Sequence, residues 1–278
     1  MTSPFTITRP SGAARLVFDS PHSGRTYPPS FVSIAPPNEL RWAEDAYVDE
    51  LIAPAVEQGA VLLCASLPRS YIDLNRTATD IDAELLSEPW PAPLTPSDKT
   101  ARGLGLVRRF VVPGVPIYAP RSLSVRDVQA RIREVYEPYH AALDKLIAEV
   151  RGTRGAVWHV NWHSMKSTGN AMTPDGAGAA RADFVVSDRD GASAAPAMTA
   201  LIVESLTAMG YRVSVNTPYK GGHIVQRLGR PADGAHSVQI EIRRNLYLDE
   251  ATVTRTAGFG ALRDNLTRLA RALAEAAP

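Results

Sequence analysis

The chain of 278 residues is 45% hydrophobic and 21% charged, a composition typical of a globular protein that can bury a large core. Its 30 basic and 29 acidic residues leave a formal net charge of +1, which argues against a nucleic-acid partner and favours a small neutral or anionic ligand. No stretch approaches the roughly 20 apolar residues of a membrane helix, and the N-terminus lacks a signal-peptide pattern. We therefore expect a soluble, cytoplasmic protein without a membrane partner. Because Cys64 is the single cysteine, metal ligands would have to be histidines and carboxylates.

Short apolar runs bounded by turn residues predict seven strands, at 14–19, 60–66, 106–112, 156–162, 183–187, 211–216 and 236–243. Segments with helical periodicity predict four helices, at 44–58, 125–150, 195–209 and 252–276. Ser124 and Asp127 resemble a capping box at the start of the second helix, and Gly210 fits the end of the third. Strands and helices alternate without a break in composition. This pattern predicts the α/β class, with a mixed, mostly parallel sheet in one domain spanning residues 1–278.

Two histidines lie where predicted strands end, which is where α/β sheets bind their ligands. His22 follows the first strand in the turn 20–24, and His163 ends the strand that begins near residue 156. Histidines at strand exits are well placed to bind a metal, although a surface turn is the alternative for His22. His159 shares a side of its strand with His163 but lies deeper, so we interpret it as a core histidine.

A catalytic zinc needs about three protein ligands and an open position for water, so two histidines require one carboxylate. Asp45 and Asp49 are the candidates, because they lie one turn apart near the start of a predicted helix. Either could instead favour the positive helix N-terminus. A hydrolase also needs a general base. Glu241 is an isolated carboxylate in an apolar strand and is a candidate, with an ion pair to Arg243 as the alternative interpretation.

Arginines recur in loops beside the predicted strand ends, at Arg69, Arg76 and Arg121. A guanidinium binds a carboxylate through two parallel hydrogen bonds, which suits an amino-acid substrate, although surface arginines are common. Gly221 and Gly222 would allow a ligand to approach the backbone closely, or would form a flexible turn. Phosphate-loop and G-x-S-x-G patterns are missing from the sequence, so neither nucleotide binding nor a serine nucleophile is predicted.

The chain resembles the N-formylglutamate amidohydrolase family in an ordered series of motifs that runs from about residue 15 to the final helix. The motifs are SPHSG at 20–24, DAYVDEL at 45–51, DLNR at 73–76, PYH at 138–140, HSM at 163–165, DRDG at 188–191, NTPYKGG at 216–222 and QIEIRRNLYLDE at 239–250. Each motif is modestly specific, and their order and coverage together carry the resemblance.

That resemblance implies a fold similar to the zinc carboxypeptidases, with helices on both faces of the sheet. It implies zinc-dependent hydrolysis of N-formyl-L-glutamate to glutamate and formate, the closing step of one route of histidine breakdown, by zinc-activated water with a glutamate as general base. By position it implies metal ligands His22, Asp45 and His163 and the base Glu241. We expect Arg76, with Arg69, Arg121 or Arg243 beside it, to hold substrate carboxylates or polarise the carbonyl, and Gly221 and Gly222 to approach the substrate.

One departure from the family pattern concerns the second histidine. Members usually have an aspartate two residues before it, where this chain has Asn161. If Asn161 orients His163, it does so without adding negative charge, which would weaken metal affinity. Two other functions stay open. The chemistry could serve a deacylase or carboxypeptidase for another N-acyl amino acid or peptide, or the arginines could serve a metal-free binding protein for acidic amino acids.

Overall fold

The computed structural model describes residues 3–278, and its centre is a seven-stranded sheet. In chain order the strands are β1 (Phe5–Thr8), β2 (Leu16–Ser20), β3 (Ala60–Ala65), β4 (Val157–Met165), β5 (Phe184–Ser187), β6 (Val213–Val215) and β7 (Ala235–Arg243). A separate small hairpin pairs β8 (Leu248–Asp249) with β9 (Thr254–Arg255).

The spatial order of the sheet is β1-β3-β2-β4-β7-β5-β6. Strands β3, β2, β4 and β7 are parallel neighbours, and β6 is parallel to β5. Strand β1 pairs antiparallel with β3 at one edge, and β5 pairs antiparallel with β7. The predicted mixed, mostly parallel sheet is therefore confirmed, and the carboxyl ends of β2, β4 and β7 lie side by side.

Helices cover both faces of the sheet. In chain order they are α1 (Pro37–Leu40), α2 (Val48–Ile52), α3 (Asp98–Ala101), α4 (Val125–Arg131), α5 (Glu137–Arg154), α6 (Pro196–Ala208), α7 (His223–Leu228) and α8 (Gly258–Ala276). Helices α2, α6 and α8 enclose one apolar core against the sheet, and α5 packs on the other face over β2, β3 and β4. Because the central strands are covered on both sides, β3 and the first three residues of β2 are continuous apolar runs, whereas β4 alternates apolar and polar residues although all are buried.

Two of the predicted helices are confirmed. The helix predicted from residue 125 consists of α4 and α5 joined by a π-helical turn, and Ser124 Oγ accepts a hydrogen bond of 3.1 Å from the Asp127 backbone. Helix α6 ends before Gly210, whose φ of 90° allows the chain to turn away. In residues 3–278, no helix has the length and apolar character needed to cross a membrane.

Three predicted elements are wrong in whole or in part. Segment 106–112 is an irregular loop, because its backbone bonds go to other loops: Asp73 N donates to Leu106 O and Leu106 N to Asp80 O, both at 2.7 Å. Within 44–58 only α2 is α-helical, and Asp45 precedes it. The helix predicted from residue 252 begins at Gly258, because the preceding residues form β9. The short edge strand β1 was not predicted.

Candidate active site

Three buried side chains from separate segments meet at the carboxyl ends of the central strands. His22 follows β2, His163 lies near the end of β4, and Asp45 lies in the loop before α2. The Asp45 backbone N–H donates to His22 O at 3.0 Å, which fixes that loop beside the turn. The two Nδ1 atoms are 3.0 Å apart, and Asp45 Oδ2 lies 3.3 Å from His22 Nδ1 and 3.0 Å from His163 Nδ1. We call these three residues the His–Asp cluster.

The far nitrogen of each imidazole has a hydrogen-bond partner that sets its tautomer. His22 Nε2 lies 2.7 Å from Asp73 Oδ1, and His163 Nε2 lies 2.6 Å from Asn161 Oδ1. The Asn161 amide orientation is set in turn, because its Nδ2 donates to Asp19 Oδ1 at 2.7 Å. Both Nε2 atoms therefore carry the proton, and both Nδ1 lone pairs face the shared carboxylate.

Three acceptor atoms this close repel one another unless a proton or a metal cation lies between them. Ligands of a tetrahedral ion with bonds of about 2.0–2.1 Å are about 3.3 Å apart, which matches the spacing in the cluster. The cluster is also a group of buried His and Asp atoms able to hold a metal ion. Asp49 lies outside it and faces Arg25 at 3.8 Å, so the geometry favours Asp45 as the carboxylate ligand.

The second oxygen of Asp45 is held by donors on the opposite side from the histidines. Arg244 Nη2 lies 3.0 Å from Oδ1, Ser164 Oγ 3.4 Å and Arg69 Nη1 3.6 Å. Burial alone would raise the pKa of Asp45, but interaction with the two imidazoles and the charge of Arg69 holds the pKa well below its usual range. Asp45 is thus an ionised carboxylate, the form that a metal ligand requires.

Behind the cluster, polar side chains orient the histidines. Asp73 accepts from His22 and from Arg69 Nη2, at 2.9 Å for the arginine. Burial opposes ionisation of Asp73, but Arg69 and Arg76 hold its pKa well below its usual range. Asn161 contacts His163 and connects that histidine to the buried carboxylate of Asp19. The carboxylate that supports His163 is therefore one residue further from the imidazole than the aspartate of the usual family pattern.

Glu241 lies on β7 directly beside His163 on β4, in register and on the same face of the sheet. Its Oε1 accepts from Gln239 Nε2 at 2.9 Å, and Gln239 Oε1 accepts from the Gly222 backbone at 2.8 Å. Burial raises the pKa of Glu241, with Asp45 adding to the effect and His163 opposing it. Glu241 is thus a buried carboxylate beside the His–Asp cluster, with an increased affinity for protons.

A cleft of about 450 Å³ opens over the His–Asp cluster. Its lining includes nine basic residues, Arg69, Arg76, Lys99, Arg102, Arg108, Lys166, Arg181, Lys220 and Arg244, and two acidic residues, Asp98 and Glu241. Gly221 and Gly222 also line it. A side chain at Gly222 would clash with Asn75, so this glycine is required by close packing. The excess of positive charge suits an anionic ligand with more than one negative group.

The structure does not bring two of the predicted substrate-binding arginines to the cleft. Arg121 is exposed in the loop before α4, and its backbone N–H donates to Glu84 O at 3.1 Å. Arg243 pairs with Asp183 at 2.5 Å and donates to Arg181 O at 3.0 Å, so its guanidinium binds the chain itself. Arg243 does not form the ion pair with Glu241 that is the alternative interpretation of that carboxylate. Neither arginine is kept as a substrate-binding candidate.

Sequence reasoning correctly separated His159 from the cluster. His159 is buried between Ser237 Oγ at 2.7 Å and Asp19 Oδ1 at 2.9 Å. The sequence pattern did not single out Gln239, although strand parity places that residue on the same side as Glu241. It also missed Arg108, which was assigned to a strand that does not form.

The chain thus combines an α/β fold with a buried His–His–Asp group that could hold a metal ion, an adjacent buried carboxylate and a cationic cleft. The chain belongs to the N-formylglutamate amidohydrolase family, whose sequence model matches residues 14–248. The resemblance found in the motifs is thereby confirmed.

The similarity to individual members extends over most of the chain. A crystal structure of N-formylglutamate amidohydrolase from Ralstonia eutropha JMP134 is 44% identical, with a TM-score of 0.92, covering 99% of this chain and 98% of that one. N-formylglutamate deformylase of Pseudomonas aeruginosa is 29% identical over 243 residues, which is 86% of this chain and 84% of the relative. The enzyme of the same name from Pseudomonas putida is 26% identical over 208 residues, 74% of this chain and 71% of the relative.

Proposed function

We propose that the chain is a zinc-dependent amidohydrolase that cleaves the formyl amide of N-formyl-L-glutamate, giving glutamate and formate, with residues 1–278 acting as one catalytic domain. The observation that carries the proposal is the His–Asp cluster beside Glu241 at the base of a cationic cleft. The substrate has two carboxylates, which suits the excess of basic residues there. The names of the relatives support the same substrate.

His22, Asp45 and His163 would hold the metal. Two imidazoles and one carboxylate suit zinc, and three protein ligands are the number usual in catalytic zinc sites. When bound, such an ion polarises a carbonyl oxygen and makes water a stronger nucleophile at neutral pH. Asp73 and Asn161 hold the imidazoles in the tautomer that metal binding needs.

Glu241 would act as the general base. Its raised pKa lets it accept a proton from the attacking water and later donate that proton to the departing amine nitrogen of glutamate. This role is supported by its position beside His163 and by its absence from the three residues that we assign to the metal. Gln239 holds one carboxylate oxygen at 2.9 Å, which leaves the other free to face the cleft.

Arg69 and Arg76 are the arginines that we assign to substrate beside the metal. Both line the cleft, and both are anchored by Asp73, at 2.9 Å for Arg69 and 3.8 Å for Arg76. Arg76 also donates to Leu104 O at 2.7 Å, which fixes its guanidinium plane. These groups would bind the α-carboxylate and stabilise the negative charge that develops on the formyl oxygen. Gly221 and Gly222 would allow the substrate to lie against the backbone.

The test is an activity assay of zinc-loaded protein on N-formyl-L-glutamate, with N-acetyl-L-glutamate and short peptides as comparison substrates. The expected result is release of formate that is lost with a chelator and restored by zinc. Preference for the acetyl or peptide substrates would instead identify a different deacylase or a carboxypeptidase. If the protein binds acidic amino acids but shows no turnover and does not contain about one zinc ion per chain, it is a metal-free binding protein. The proposed reaction would serve histidine breakdown.

A further inference from the structure

One buried arginine in the cleft has no negatively charged partner in the described part of the chain. Arg108 is 8% exposed and lines the cleft. Its Nε has no hydrogen-bond partner, and its one hydrogen bond in residues 3–278 is a long one, from Nη2 to Val111 O at 3.4 Å. An unsatisfied buried guanidinium is costly and is found where an anion completes the site.

Most of the other basic residues of the cleft differ from Arg108 in having a carboxylate partner. Arg69, Arg76, Arg181, Lys220 and Arg244 each pair with an Asp of the chain. Lys99, Arg102 and Lys166 have no such pair among the described residues, but Lys99 and Arg102 are exposed, and the half-buried Lys166 lies over the Trp42 ring at 5.7 Å. Burial and the nearby charge of Arg69 lower the pKa of Arg108, as expected for a cation without a counter-ion.

The loop that carries Arg108 is held firmly at the base of the cleft. Leu106 and Val107 beside it are buried in the apolar core, and Leu104 O accepts from Arg76 Nε at 2.7 Å. Leu106 is bonded through its backbone to Asp73 and Asp80, at 2.7 Å in both cases. The backbone that carries Arg108 is thus fixed before any ligand arrives, which reduces the entropy cost of binding.

The pairing of the cleft arginines indicates which carboxylate Arg108 would bind. In an N-formyl dicarboxylic amino acid the α-carboxylate is two bonds from the amide nitrogen, so it must lie beside the metal site. Arg69, 3.6 Å from Asp45, is close enough to serve it. Arg108 pairs with none of the site carboxylates, so its guanidinium is available for the second, side-chain carboxylate of the same substrate.

Resting on the proposed function, we propose that Arg108 is a specificity residue that binds the side-chain carboxylate of the substrate. It selects N-formyl dicarboxylic amino acids over N-formyl amino acids with neutral side chains. The complementary charge is supplied by the ligand and not by the protein. Consequently the free protein carries a buried uncompensated charge, and removing that charge should not weaken the fold.

The experiment compares N-formyl-L-glutamate with N-formyl-L-glutamine, which has the same shape but a neutral side chain. In Arg108→Gln, kcat/KM for the glutamate substrate should fall about 10- to 100-fold, the value of a charge-assisted hydrogen bond, while the glutamine substrate changes little. Arg108→Lys should recover part of the preference. Arg121→Gln, an exposed arginine outside the cleft, should keep the wild-type ratio. The Arg108→Gln protein should melt no lower than wild type.

A second measurement needs no turnover. Calorimetric binding of L-glutamate and L-glutamine to the wild-type protein should favour glutamate, and Arg108→Gln should abolish that difference. An unchanged substrate ratio, or an equal loss on both substrates, would overturn the assignment of Arg108. If wild-type protein hydrolyses neither formyl compound, the proposed function fails, and the binding comparison still decides whether Arg108 recognises the side-chain carboxylate.

Discussion

Strand β4 has opposite chemistry on its two faces, although all nine of its residues are buried. One face presents Trp158, Val160 and Trp162 to the apolar core under α6 and α8, and the other presents His159, Asn161 and His163 to the site. The apolar face stabilises by removing surface from water. The polar face is tolerated because each group has a hydrogen-bond partner. Substitutions on the apolar face should therefore change mainly the stability of the protein, and substitutions on the polar face mainly the chemistry of the site.

The largest effect is expected at Glu241, the proposed general base on the site face. Glu241→Gln removes the proton acceptor but keeps the shape, so kcat should fall about 10²–10⁴-fold. Metal analysis should still find the ion of the wild type, because Glu241 is not in the His–Asp cluster. The matched control is Glu204→Gln on the exposed side of α6, which should retain activity. Near-normal turnover of Glu241→Gln would refute its role as base.

On the opposite face, the largest buried side chain is Trp162, which packs edge-to-face on Phe18 with ring centroids 5.5 Å apart. Trp162→Ala should lower the free energy of unfolding by about 3–5 kcal/mol through the cavity it leaves. Denaturant titration measures this loss. Trp162→Phe should cost less, since the indole N–H has no partner to lose in the described chain. Loss of metal binding in a folded Trp162→Phe protein would show that the apolar face and the site face of β4 are not independent.

The choice between two carboxylates gives a narrower test. Asp45→Asn removes the negative charge and one oxygen of the proposed ligand, so zinc binding should weaken by more than about 100-fold, beyond the effect usual for residues that only orient ligands. Competition titration with a chelator measures the dissociation constant. Asp49→Asn, whose carboxylate faces Arg25, should bind zinc as the wild type does. The reverse result would make Asp49 the ligand.

The smallest effect concerns Asp19, which supports both histidines of β4. Burial would raise the pKa of Asp19, but hydrogen bonds from His159, Asn161 and Tyr139 lower it overall. Its folded-state pKa is thus below the unfolded value of about 3.9, so its stabilising effect is present above that pH and lost as the pH falls through the folded pKa.

Asp19→Asn should therefore destabilise the protein by about 1–3 kcal/mol at pH 7. The difference from wild type should shrink below about pH 4, where the wild-type carboxyl begins to bind a proton in the unfolded state. Thermal melts at the two pH values check this. The exposed Asp264→Asn serves as control, with little change at either pH. A stability loss that does not vary with pH would argue against an ionised Asp19.

The fold was predictable where the pattern is local and repetitive. Six of seven predicted strands form, because apolar runs with turn residues at their ends mark strands that are covered on both faces. Segment 106–112 has the same appearance but no sheet neighbour to pair with. Its apolar residues pack under a loop, and local sequence does not distinguish these two kinds of burial.

For the candidate site, the residues at strand ends were predictable and the residues in loops were not. Strand parity and the edge rule for α/β sheets placed His22, His163 and Glu241 near one another. Arg121 and Arg243 looked equivalent to Arg69 and Arg76 in the sequence. Their roles differ because Arg243 finds Asp183 nearby and Arg121 points to solvent.

The sequence by itself determined the family, the α/β class and the two histidines that face each other. These features depend on periodicity along the chain and on ordered motifs, both of which are local. Only the tertiary structure decided that Asp45 and not Asp49 completes the cluster, that Asn161 connects His163 to Asp19, and that Arg108 is buried without a counter-ion. Each of these depends on the path of a loop through space, and that path is set by packing between segments far apart in the chain.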